Sequence, residues 1–143
     1  MKTLKGIVAV IFRENEGALE FLILHRILNW SGWELLKGST DEGESTEDAL
    51  KREVFEEIGL KDFALVKKLP ITLRFHDAIR KCNREMQAFL LKVDASQKIV
   101  LDKDEVLEHD AFEWIVAETA LKKLTYAGQR NVLKTALTAL KKS

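Results

Sequence analysis

The chain is 143 residues long, 46% hydrophobic and 32% charged, a composition that fits one globular domain over residues 1–143 and excludes a disordered tail or a fibrous repeat. Its 23 Lys and Arg residues balance 23 Asp and Glu, so no overall basic field draws it to duplex nucleic acid, although a local site can still hold a polyanion. Cys82 is the single cysteine and can form no internal disulfide; with no secretory core and no apolar run near the roughly 20 residues of a membrane span, the cytoplasm is the expected compartment and no membrane partner is expected.

In chain order, residues 6–12 (GIVAVIF) read as a buried strand, closed at once by Arg13 and Glu14. Residues 20–27 (EFLILHRI) form a second apolar run, and the intervening Glu14-Asn15-Glu16-Gly17 is a turn signal that predicts a hairpin or neighbouring strands. Residues 33–36 make a short apolar piece, followed by a loop over residues 37–44 that contains Gly38 and Gly43. The clearest helix covers residues 45–58: Ser45 can cap it, Asp48 completes a capping-box spacing, Leu50, Val54 and Ile58 give an apolar stripe, and Gly59 suits the stop. Downstream, residues 64–75, 86–93 and 111–116 are predicted strands, and residues 117–124 and 126–142 predicted helices. Strands interrupted by one central and one terminal helix imply an α/β fold, a mixed sheet covered by helices.

Chemistry concentrates on the 45–58 helix. At about 100° per residue, Glu53, Glu56 and Glu57 fall within an arc of roughly 100° beside Ala49, away from the centre of the apolar stripe. Like charges at that spacing repel, and a divalent cation reverses the sign of the interaction; hard ions such as Mg²⁺ favour such oxygen ligands and bridge them to phosphates. Taken alone, the same glutamates are equally consistent with a solvated helix face, with Arg52 pairing to Asp48 or Glu56.

The entry loop resolves the ambiguity. From Gly38 the sequence runs through Glu44 to Arg52-Glu53-Val54-Phe55-Glu56-Glu57-Ile58-Gly59-Leu60, filling every position of G-x5-E-x7-R-E-U-x-E-E-x-G-U, with U aliphatic. This pattern resembles the signature of the Nudix hydrolases, and arises by chance on the order of once in a million chains. The resemblance implies the Nudix fold, a mixed curved sheet sandwiched between helices, and cleavage of nucleoside diphosphates linked to another moiety. It also implies Mg²⁺, or Mn²⁺ in its place, held by Glu53, Glu56 and Glu57, with one glutamate acting as base toward the attacking water. Beside the resemblance, the residues have physical roles of their own. Gly38 lets the backbone approach a ligand and offers a neutral carbonyl, Glu44 can brace the loop by accepting backbone N–H groups, and the Arg52 fork can hold neighbouring carboxylates.

Flanking segments bear on the substrate. Trp33-Glu34-Leu35-Leu36-Lys37-Gly38 resembles the Trp…Pro-Lys-Gly lead-in of diadenosine tetraphosphate hydrolases and their RNA pyrophosphohydrolase relatives, with Leu36 in place of the usual proline and Ser39 in place of a frequent histidine. Lys37 is then a phosphate contact. Residues 108–115 (EHDAFEWI) are similar to the segment of the dinucleotide hydrolases from which a glutamate, here Glu108, reaches the metal cluster, with Glu105 competing for that role. His109 reads as structural and Trp114 as core. The resemblance further places an aromatic at Tyr126 and another at Phe75 around an adenine, and Arg130 on phosphate; Arg26 and Gln87, on strands that would face the cleft, are further phosphate or base candidates.

The expectation is therefore a Mg²⁺-dependent hydrolase cleaving diadenosine tetraphosphate to ATP and AMP, with Glu53, Glu57, Arg52 and Glu108 in the catalytic set and Gly38, Glu53, Glu56, Glu57 and Glu108 at the metal. The alternatives are an RNA 5′-pyrophosphohydrolase, which would make an RNA 5′ end the partner, a nucleoside triphosphate pyrophosphatase, and a nucleotide-binding module without turnover. ADP-ribose is disfavoured because the proline that usually follows the box in that activity is lacking. The partner expected is a small nucleotide, and the chain a monomer or homodimer.

Overall fold

The computed structural model describes residues 2–101 and 107–142. Among these residues seven strands and three helices follow one another. They are β1 (Thr3–Asn15), β2 (Ala18–Arg26), β3 (Gly32–Glu34), β4 (Leu36–Ser39), α1 (Thr46–Ile58), β5 (Ala64–Asp77), β6 (Cys82–Lys92), β7 (His109–Ile115), α2 (Ala117–Lys123) and α3 (Ala127–Lys141).

β1 organises the sheet. Ile7 to Ile11 are all 0–1% exposed, because the strand is covered on both faces and so reads as an unbroken apolar run. Val8, Val10 and Phe12 face α2 and α3, packing with Ala120, Leu124, Val132, Leu133 and Ala136. Ile7, Ala9 and Ile11 face α1, packing with Ala49, Leu50, Val54 and Ile58. The mixed sheet thus lies between helices, as the fold expectation required. One edge of β1 runs parallel to β6, from Thr3↔Asn83 to Phe12↔Lys92, and β5 closes that side antiparallel to β6.

The other edge of β1 is divided. It pairs with β2 only from Phe12↔Phe21 to Asn15↔Ala18, around the Glu16-Gly17 turn, whose φ values of 52° and 81° are both positive. Beyond that point the strands part company. β4 pairs with β1 from Gly6↔Ser39 to Ala9↔Leu36, and β3 pairs with β2 from Leu24↔Glu34 to Arg26↔Gly32. Residues 33–36, expected as one apolar piece, are therefore two short strands with different partners, hinged at Leu35. Lys37 to Ser39, expected in a loop, lie in β4, because glycine at positions 6 and 38 allows close pairing: a Cβ on Gly6 would sit 2.2 Å from the Gly38 carbonyl oxygen.

α1 begins and ends as its sequence requires. The Ser45 side chain accepts from the Asp48 N–H at 3.1 Å, and Gly59 adopts φ 71° at the C-terminal end, donating to the Phe55 carbonyl. β6 starts four residues earlier than expected and β1 three earlier, since each supplies the other's ladder partners. None of the helices, among the described residues, is long and apolar enough to cross a membrane.

Candidate active site

The loop into α1 is built around one guanidinium. Arg52 Nε and Nη2 donate to the two carboxylate oxygens of Glu44 at 2.9 and 3.0 Å; Nη2 also donates to the Ser39 carbonyl at 2.8 Å. Nη1 donates to Glu53 at 2.9 Å and to Glu56 at 3.2 Å. Five N–H groups thus meet five acceptors, the whole donor capacity of an arginine. Glu44 in turn accepts the Asp41 N–H at 2.9 Å, which is the bracing role expected of it. These bonds and the adjacent positive charge hold the Glu44 carboxyl down at about 2.

The three helix glutamates do not share one environment. Glu56 is 45% exposed at its side chain and Glu53 13%. Glu57 is buried alongside Val54 and Ile58, rather than standing on an outward-facing arc, because the core wraps around that edge of α1. The Glu53 carboxyl is pushed up to about 7, chiefly by burial, which the Arg52 guanidinium opposes and the negative charges of Glu56 and Glu108 reinforce. Burial also raises Glu57 well above the ordinary carboxylate range, reinforced by Glu53 and Glu108. Gly38 is packed against this cluster: a Cβ there would lie 2.2–2.5 Å from the Glu53 carboxyl atoms.

Glu108 immediately precedes β7 and meets Glu57 of α1. One ligand-capable atom each from Glu57, Glu108 and His109 lie within 4.8 Å of one another. Glu57 Oε2 is buried with no hydrogen-bond partner. Buried carboxylates that repel one another, with an acceptor lacking a donor, fit a divalent cation, which binds oxygen and reverses the local electrostatics. Glu105 lies outside the described residues.

A cleft of ≈ 580 Å³ opens beside this cluster, with Glu108, Lys37, Arg26, Phe75 and Tyr126 among its walls. Tyr126 is 51% exposed and stands at the start of α3, a position secured from behind. The Thr125 N–H donates to the Trp33 carbonyl at 3.1 Å, the Trp33 N–H to Thr125 Oγ1 at 3.0 Å, and the Leu35 N–H to the buried Gln129 at 2.6 Å. Lys37 Nζ is 5.6 Å from the centroid of the Phe75 ring.

Two expected contacts lie elsewhere. Gln87 is on the opposite face of β6 from Met86 and Ala88; its amide donates to the Leu69 and Ala88 carbonyls, beside a separate open recess at residues 67–72. Its place on β6 was read correctly, but strand alternation turns it away from the cleft. Arg130 Nη1 donates to the Leu124 and Thr125 carbonyls at 2.7 and 3.2 Å, so it closes the turn between α2 and α3. Arg26 lines the cleft while donating to Glu34 at 3.2 Å and to the Leu28 carbonyl.

Sequence reasoning missed three residues that line the cleft, Trp30, Arg80 and Arg84, and one buried behind its Arg26 and Lys37, namely Glu34. Glu34 is 1% exposed and accepts from Arg26, faces Lys37 at 3.5 Å, and contacts His109 Nε2 at 2.7 Å. A lone acid inside the apolar 33–36 run was the available signal. Arg84 is 6% exposed, donating to Asp77 at 3.0 Å and Ser39 Oγ at 2.8 Å; Arg80 approaches the same hydroxyl at 3.4 Å. Arg84 is in phase with buried Met86 and Ala88, which marks it as inward-facing. Trp30 meets Tyr126 edge-on, centroids 5.0 Å apart at 70°.

The NUDIX domain family model matches residues 2–136. The chain belongs to the Nudix family. An RNA pyrophosphohydrolase of Sulfurovum sp. is 30% identical over 114 residues, 75% of this chain and 73% of that protein. An octanoyltransferase of Myxococcus xanthus is 31% identical over 139 residues, but this Nudix chain, although matched over 90% of its length, spans only 35% of that protein. Among solved structures, a C. elegans Ap4A hydrolase in a binary complex superposes with TM-score 0.86 at 25% identity, covering 98% of this chain and 99% of that one. The E. coli dihydroneopterin triphosphate pyrophosphohydrolase, at TM-score 0.72 and 21% identity over 94% of this chain and 96% of that one, shares the fold. The Nudix chain is thus a pyrophosphohydrolase, of a family that generally works with a divalent metal.

Proposed function

We propose that this Nudix enzyme is a Mg²⁺-dependent bis(5′-nucleosyl)-tetraphosphatase of the cytoplasm that cleaves diadenosine tetraphosphate to ATP and AMP, with Mn²⁺ able to substitute. The observation that carries the reading is the placement of Glu108, which belongs both to the buried acidic cluster and to the wall of the cleft lined by Lys37, Phe75 and Tyr126. A cleft lined by aromatic rings and cationic side chains, with a carboxylate of the acidic cluster in its wall, suits a molecule that joins a base to a run of phosphates. The likeness to the C. elegans Ap4A hydrolase supports the same substrate class.

In this reading the Gly38 carbonyl, Glu53, Glu56, Glu57 and Glu108 would hold the cation, and Arg52 positions Glu53 and Glu56. When bound, the ion neutralises the polyphosphate and lowers the pKa of coordinated water. Phe75 and Tyr126 take the adenine by stacking, which gives affinity with little base discrimination. Lys37 and Arg26 bind phosphate oxygens, and Arg84 adds a further positive charge at the cleft wall. One of Glu53, Glu57 and Glu108 accepts a proton from the attacking water. The new P–O bond forms in line with the anhydride bond that breaks, and ATP and AMP are released.

A second reading, removal of pyrophosphate from the 5′ end of RNA, is favoured by the Sulfurovum relative. Diadenosine tetraphosphate, dATP, ADP-ribose and 5′-triphosphorylated RNA, each assayed with Mg²⁺ and resolved by chromatography, separate the two. The dinucleotide is expected to give the highest kcat/KM, with ATP and AMP as products. Faster turnover of the RNA would replace the first reading with the second, and no metal-dependent turnover of any substrate would leave a binding module.

A further inference from the structure

His109 lies at the edge of the acidic cluster, yet neither the box nor the cleft accounts for it. Its side chain is 1% exposed, and its two ring nitrogens have different surroundings. Nε2 is 2.7 Å from Glu34 Oε2. The same carboxylate accepts from Arg26 Nη1 at 3.2 Å and lies 3.5 Å from Lys37 Nζ, an ion pair with two cations. An ionised carboxylate only accepts, which assigns the hydrogen to Nε2 and leaves the lone pair on Nδ1. Nδ1 is buried and has no hydrogen-bond partner.

A buried polar atom without a partner is costly, and two residues of one cluster each carry such an atom here. Glu57 Oε2 is the second, and Glu57, Glu108 and His109 each bring a donor atom into a group no wider than 4.8 Å. Donors around one ion at about 2.1 Å stand about 3–4.2 Å apart, so a sub-ångström adjustment suffices. A carboxylate on one imidazole nitrogen, leaving the other free, is the arrangement that orients histidines toward metals and raises their basicity.

We propose that His109 Nδ1 is a nitrogen ligand for a divalent cation shared with Glu57 and Glu108, oriented by Glu34. The inference rests on the metal-binding reading above and adds a ligand of a different chemical kind. A mixed nitrogen and oxygen donor set shifts preference from Mg²⁺ toward Mn²⁺, Co²⁺, Ni²⁺ and Zn²⁺. At this position the enzyme therefore discriminates in favour of transition ions, while sites made of carboxylates alone accept Mg²⁺.

The test is pulsed electron paramagnetic resonance of the tag-free, full-length protein loaded with one equivalent of Mn²⁺, grown with ¹⁴N- or ¹⁵N-histidine. An isotope-dependent nitrogen modulation is expected, lost in His109→Gln and retained in His25→Gln and in His76→Gln. The chain has three histidines, so if His109→Gln does not fold, the His25→Gln/His76→Gln double variant makes the assignment by elimination. In parallel, calorimetry of His109→Gln should show Mn²⁺ affinity falling at least tenfold more than Mg²⁺ affinity. Mn²⁺ binding without isotope-dependent modulation, or modulation surviving in His109→Gln, overturns the ligand assignment alone. Failure of the wild-type protein to bind Mn²⁺ or Mg²⁺ overturns it together with the metal-binding reading.

Discussion

Alanine at position 38 is expected to disable the enzyme without unfolding it. A Cβ on Gly38 would lie 2.2 Å from the Glu53 carboxyl carbon and 2.4–2.5 Å from its oxygens, against an ordinary contact of 3.4 Å or more, so the carboxylate must withdraw by about 1.2 Å. Glu53 is the end of a flexible side chain and Gly38 does not have a positive φ, so the withdrawal is feasible and fold stability changes little. It does, however, pull Glu53 off its 2.9 Å bond with Arg52. A misplacement of about 1 Å at a reacting centre costs on the order of 100-fold in rate, or about 2.7 kcal/mol of barrier. Gly6→Ala is the contrasting case. Its Cβ would meet the Gly38 carbonyl oxygen at 2.2 Å and Met86 Sδ at 2.5 Å, and the backbone atom cannot swing aside. Overpacking of this kind costs about 1–3 kcal/mol, several degrees in Tm. The assay is kcat for diadenosine tetraphosphate with saturating Mg²⁺, alongside thermal melts of both variants. Gly38→Ala turnover within threefold of wild type would refute the reasoning, as would a larger Tm loss in Gly38→Ala than in Gly6→Ala.

Glu57→Gln should abolish most turnover while leaving the metal-free fold at least as stable, because burial already favours the neutral form of that carboxyl; a kinetic assay with a paired melt checks both halves. With the Glu53 carboxyl raised to about 7 from an ordinary 4.5, and burial raising Glu57 as well, the folded state holds protons that the unfolded chain has released. The metal-free protein should therefore lose stability as pH rises from 4.5 through 7, and saturating Mg²⁺ should flatten that fall; Tm against pH with and without chelator measures it. Tyr126→Ala should raise KM for adenine-bearing substrates several-fold with kcat nearly unchanged, as read from initial rates.

The box was legible because its constraints are local. Arg52 reaches Glu44, Glu53 and Glu56 within one loop and one helix, and the capping of α1 by Ser45 and Gly59 is written in adjacent residues. The positions misread depend on partners distant in the chain. Residues 37–39 look like loop until Gly6 is placed opposite them. Gln87 looks like a cleft residue until the strand alternation is anchored by Met86 against α3. Arg130 looks like a phosphate contact until the carbonyls of residues 124 and 125 claim its guanidinium. Glu34 and His109 are 75 residues apart, and a pair at that separation leaves no spacing to read.

The stretch from Trp33 to Gly38 touches both walls of the cleft. Trp33 and Leu35 fasten the start of α3, and with it Tyr126, while Lys37 and Gly38 belong to the strand that abuts Glu53. On the proposed reading, a nucleobase resting on that tyrosine and a phosphorus facing the carboxylates would be gauged from the same half-dozen residues of backbone. A dinucleotide bound that way would be measured in phosphates: the number of links between base and cut would be set by a length of strand, so chain length in the substrate would alter what is left over rather than where the break falls.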